Sequence, residues 1–173
     1  MKKVLQMEGY LNQLCDILEQ EIKIYNTILE KSKEKTDIVV SGRVNELDRI
    51  VKLEQSLVVQ IGKLEQKREE VVLNIAGILN MDSNRLNIKQ LIQSAPEEYQ
   101  EKLEIYQKSL EDILGQLKDV NELNGKLIEN ALDYVEFSLN IMTNASISGN
   151  IYEKEGSTKN NISGVKNLFD VKL

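Results

Sequence analysis

Apolar residues recur along this chain at alternating intervals of three and four, the spacing that lines up one seam of a helix. The first run reads Val4, Met7, Leu11, Leu14, Leu18, Glu21, Tyr25 and Ile28. It predicts a helix over about residues 3–40, with Glu21 as its polar exception and Ile22 beside it able to turn inward instead. Ser41-Gly42 breaks the run: Gly42 either forms a weak point in one longer helix or, the preferred reading, ends the first helix in a turn that lets two helices of similar length fold back on each other. The second run covers about residues 43–80 with Leu47, Ile50, Glu54, Leu57, Ile61, Leu64, Arg68, Val71, Ile75 and Ile78. Glu54 and Arg68 interrupt it, with Leu53 and Val72 alongside.

Met81-Asp82-Ser83-Asn84-Arg85 is rich in turn formers, and Leu86 to Gln93 fits a short helix carrying Leu86, Ile88, Leu91 and Ile92. Ser94-Ala95-Pro96-Glu97 then reads as a helix start: Ser94 is placed to cap, Glu97 to reach back to its amide, and Pro96 lies in the first turn. A third long helix is expected over about residues 95–145. Its seam is Tyr99, Leu103, Tyr106, Leu110, Ile113, Leu117, Val120, Asn124, Leu127, Ala131, Tyr134, Ser138 and Ile141. Asn124 and Ser138 leave two readings open: a device that sets register, or a seam that is not permanently packed. A helix of about 50 residues is about 75 Å long, so an elongated molecule is expected. Beyond Asn144 the pattern stops in a segment rich in Gly, Ser, Asn and Lys. That composition predicts a tail largely disordered when free. The fold expected is all-α: an elongated, coiled-coil-like antiparallel bundle of three long amphipathic helices over 1–144, with a short connecting helix and a flexible tail over 145–173.

Composition narrows the chemistry. The chain has no histidine, one cysteine and one proline among 173 residues. Without histidine, the commonest general base and metal ligand is gone, and a zinc site built from Cys and His ligands cannot form. No glycine-rich phosphate loop occurs, and Glu69-Glu70 point about 100° apart on a helix, as solvated charges do. No catalytic, cofactor-binding or metal-binding residues are therefore assigned, and an enzyme is the weakest class. Cys15, among Leu11, Leu14 and Leu18, reads as a small buried hydrophobe. The net charge is -6, and the basic cluster Lys31, Lys33 and Lys35 is interrupted by acids, which gives a solvated face rather than a nucleic-acid surface. No stretch reaches the ~18 apolar residues of a membrane span, and no signal sequence is evident at the N-terminus, so no membrane insertion and a cytoplasmic location are expected. Glycines 62, 77, 115 and 125 lie within helical runs, where close helix approach and tolerated flexibility both remain open.

Three stretches together resemble the FlgN-type flagellar export chaperones. The first is Ser41-Gly42-Arg43 followed by the leucine repeat that closes on Leu64-Glu65-Gln66-Lys67-Arg68. The second runs from Asn124 to Ile141, and the third is the tail with Tyr152, Gly156 and Leu168-Phe169-Asp170. The resemblance implies a cytoplasmic chaperone that binds hook–filament junction (hook-associated) proteins through the client's terminal helix. It would keep them unassembled and deliver them to the type III export gate. It implies a monomer or weak dimer without cofactor. Client binding would fall to Leu127, Ala131, Tyr134 and Ile141, in helix-in-groove fashion, and to Leu168 and Phe169 of the tail. Tyr152 would dock on the gate. The competing class is a structural coiled-coil scaffold or homo-oligomer with no export role.

Overall fold

The computed structural model describes the backbone of residues 2–81 and 88–149, and side chains within 5–81 and 88–143. Every element among the described residues is helical: α1 Lys2–Val40, α2 Val44–Leu79, α3 Ile88–Ser94 and α4 Glu97–Gly149. Chain contacts divide the molecule into two units, Met1–Ala131 and Leu132–Leu173.

The helix ends follow from local chemistry. Gly42 takes a left-handed φ of 65°. There its amide donates to the Val39 carbonyl while the Arg43 amide donates to the Ile38 carbonyl, both at 3.1 Å. This pair of bonds satisfies carbonyls that the last turn of α1 would otherwise leave open. Asn80 does the same for α2, at φ 55°, through bonds to the Gly77 and Ala76 carbonyls. The expected Ser94 cap is not what starts the third long helix. Ser94 is the last residue of α3, and the Pro96 carbonyl accepts from the Tyr99 and Gln100 amides. Proline fits here because it has no amide to leave unsatisfied. The short-helix reading survives from Ile88 onward, whereas Asp82–Arg85 and Leu86 lie outside the described residues.

Within the first unit, the seams form two apolar clusters. One gathers Met7, Leu11, Leu14, Cys15, Ile17 and Leu18 of α1 with Leu64, Val71 and Ile75 of α2, Leu91 and Ile92 of α3, and Tyr99 and Leu103 of α4. The other joins Ile28 and Leu29 to Leu57, Ile61, Ile113 and Leu117. Cys15 is buried there, and burial pushes its thiol pKa up, as expected of a packing residue.

The polar interruptions in the first unit's seams are each paired with a polar group of another helix. Glu21 is itself buried, rather than yielding its place to Ile22. Its Oε1 lies 3.1 Å from Arg68 Nε, an ion pair without the alignment of a hydrogen bond. Glu54 turns inward while Leu53 stays exposed. It accepts from the Ser32 hydroxyl at 2.8 Å and from Lys35 Nζ at 2.7 and 2.9 Å. Lys35 is therefore not part of a solvated face, and Lys31 pairs with Glu34. Asn124 is 2% exposed. Its amide donates to the Ser32 carbonyl at 2.8 Å, and its carbonyl accepts from Thr36 at 2.7 Å. Asn124 is thus a register device on a packed seam. These pairings set direction: α2 runs against α1 (21 with 68, 32 with 54), whereas α4 runs with α1 (12 with 99, 32 with 124).

The helical glycines at 62, 77, 115 and 125 have nothing within 4 Å of where a Cβ would stand. Close helix approach is therefore not their purpose.

Candidate functional site

The sequence-predicted client residues divide between the units. In the first unit, Leu127 is half-buried and Ala131 exposed, at the end of the packed seam. In the second, Tyr134 is 72% exposed and Ile141 is 52% exposed. Leu168, Phe169 and Tyr152 lie outside the described residues.

The second unit's part of α4 is the least covered apolar surface among the described residues. Between Leu132 and Thr143 no residue is buried, and Ser138 is half-buried with its hydroxyl turned back to the Tyr134 carbonyl. The helix nevertheless remains strongly apolar. Beside Tyr134 and Ile141 runs a second stripe, Leu132, Val135, Leu139 and Met142, again spaced three, four and three. All four are exposed, Leu132 at 64% and Leu139 at 48%. Phe137 is exposed on the other side of Tyr134. At 3.6 residues per turn, the apolar positions from Phe137 round to Leu132 sweep about 220°. The remaining sector holds Asp133, Glu136, Asn140 and Thr143. Exposed apolar patches of this kind mark interaction sites.

The seam followed in the sequence, through Leu127, Ala131, Tyr134, Ser138 and Ile141, captured one side of this arc. It missed Leu132, Val135, Phe137, Leu139 and Met142. The signal was present as a second three–four run one residue out of step with the first. A wide arc needs both runs to be counted.

Among the described residues, no group of three or more Cys, Asp or Glu side chains is placed to hold a metal. Likewise no described helix is long and apolar enough to cross a membrane. Glu69 and Glu70 are both exposed.

Fold and surface together define an all-helical protein whose last long helix carries an exposed apolar arc beyond Ala131. The particular kind is given by comparison: the chain belongs to the FlgN family, whose model, described as FlgN protein, matches residues 7–160. That family is one of flagellar export chaperones, not of enzymes. The chain is also 29% identical over 159 residues to the uncharacterized protein YvyG of Bacillus subtilis (strain 168), a match covering 92% of this chain and 96% of the relative. No solved structure matches it.

Proposed function

We propose that this chain captures hook–filament junction proteins in the cytoplasm, keeps them unassembled, and delivers them to the type III export gate. The family supports the class of partner. The observation that carries the site is the uncovered apolar stretch of α4 beyond Leu132. A client's terminal helix would lay its apolar face along Leu127, Ala131, Tyr134 and Ile141, with Leu168 and Phe169 of the tail adding to the grip. The three long helices would form one antiparallel bundle that serves as the rigid base. Capture followed by delivery calls for reversible binding, here by a monomer or weak dimer.

Co-purification with each of the two junction proteins tests this reading. A soluble complex through the client's terminal segment is expected, and no complex with either at about micromolar concentration contradicts it. Tyr152→Ala separates capture from delivery: client binding should stay intact while export falls. Loss of binding in that variant would show that the tail tyrosine serves the client and not the gate.

A further inference from the structure

The width of the exposed arc bears on what the partner must bring. A helix packed against one neighbour buries a stripe of roughly 100°. The second unit offers about 220°. Tyr134 and Leu132 lie about 160° apart around the axis, as do Ile141 and Leu139, so one straight helix cannot cover both members of either pair. Val135 and Met142 fill the space between them without a polar break, apart from Ser138, whose hydroxyl is already bonded to its own helix. The arc is therefore one continuous surface wide enough for two helices side by side.

Charge says what should flank them. From Leu127 to Gly149 the only charged side chains are Glu129, Asp133 and Glu136, with no lysine or arginine. In the second unit, Asp133 and Glu136 stand in the narrow polar sector that borders the arc. The only charges a partner segment meets at that border are the carboxylates of Asp133 and Glu136, beside neutral Asn140 and Thr143, so basic residues on its edge are favoured and acidic ones disfavoured.

We propose that the occupant of this surface supplies two amphipathic helical segments with basic flanks, one on the Tyr134–Ile141 stripe and one on the Leu132–Leu139 stripe. This rests on the client reading above and specifies the form in which the client is held: clamped on two sides of α4, not laid along one.

Thiol footprinting tests it. Leu132→Cys, Tyr134→Cys, Leu139→Cys, Asn140→Cys and Ile141→Cys each place a thiol on an exposed position, so folding is not at stake. Buried Cys15, kept in place, gives a slow internal reference read by mass. Alkylation rates are compared for the full chain alone and with each full-length junction protein. At partner concentrations of about 100 times Kd, positions 132, 134, 139 and 141 should each slow by at least ~10-fold while position 140 stays reactive. Protection confined to one stripe overturns the two-segment proposal and leaves the client reading standing. Protection of position 140 as well means bulk shielding and overturns it too. Slow alkylation of 132 and 139 in the chain alone means that its own tail or a second copy already covers that stripe, which also overturns it. A complex that protects none of these positions, or no complex at all, removes the client reading at this site and the proposal with it.

Discussion

The two stretches of α4 on either side of Ala131 use the same residue types to opposite ends. Before it, Tyr99, Leu103, Ile113 and Leu117 are buried in a single seam, and polar Asn124 is paired. After it, seven large apolar side chains are exposed on more than half of the helix circumference. A seam that is narrow and punctuated by matched polar residues is finished: its partners are in the chain. The arc is broad, with Ser138 as its one polar position, and its large apolar side chains are exposed. The difference teaches that the polar interruptions, more than the apolar residues, distinguish a packed seam from an exposed one. Glu21, Glu54, Arg68 and Asn124 each make sense only with a fixed partner opposite, because an unpaired buried polar group is costly.

The comparison can be broken most forcefully by removing bulk on the packed side. Leu103 is fully buried, so Leu103→Ala should lower stability by about 2–5 kcal/mol, whereas Leu139→Ala should stay within about 0.5 kcal/mol. Chemical denaturation measures both, and similar losses would erase the distinction. Next in size is Asn124→Ala, which removes both the bond accepted from Thr36 and the bond donated to the Ser32 carbonyl and should cost about 1–3 kcal/mol. A neutral result would mean that the polar layer does not set register. Gly115→Ala works in the other direction. Its Cβ meets nothing within 4 Å, so the variant should gain up to about 1 kcal/mol in melting experiments.

The smallest effect is a pH dependence. Burial, only partly offset by Arg68, holds the Glu21 carboxyl above the ordinary carboxylate range. The folded chain therefore keeps this proton at pH values where the unfolded chain has released it. Stability from this group is full below the ordinary value of about 4.3 and falls as pH rises to the raised one. Glu21→Gln should remove that slope, seen as a difference from the parent chain that grows from about pH 4 upward and then levels off. An identical pH profile would contradict the assignment.

Much of this was legible in the sequence, because periodicity is a local property. The three seams, the turn at Gly42 and the burial of Cys15 all follow from spacing and residue type. The pairing of Glu21 with Arg68 did not, since a single helix pattern cannot say which residue stands opposite. Nearby apolar residues, Ile22 and Leu53, were the natural substitutes until the register was known. Ser94 misled for a related reason: a capping pattern works only if the helix begins where the pattern expects, and α3 extends through it. At the candidate site, tracking one seam hid the second stripe, although both share one helix.

The central claim is that α4 beyond Ala131 serves binding and not stability. Its most direct test is Tyr134→Asp combined with Leu139→Asp, measured for both melting temperature and affinity for the junction proteins. The account predicts an unchanged melting temperature and loss of the complex, since aspartates enter a surface that must be covered by apolar groups when a partner binds. Retained binding, or a drop in melting temperature comparable to that of Leu103→Ala, would contradict it.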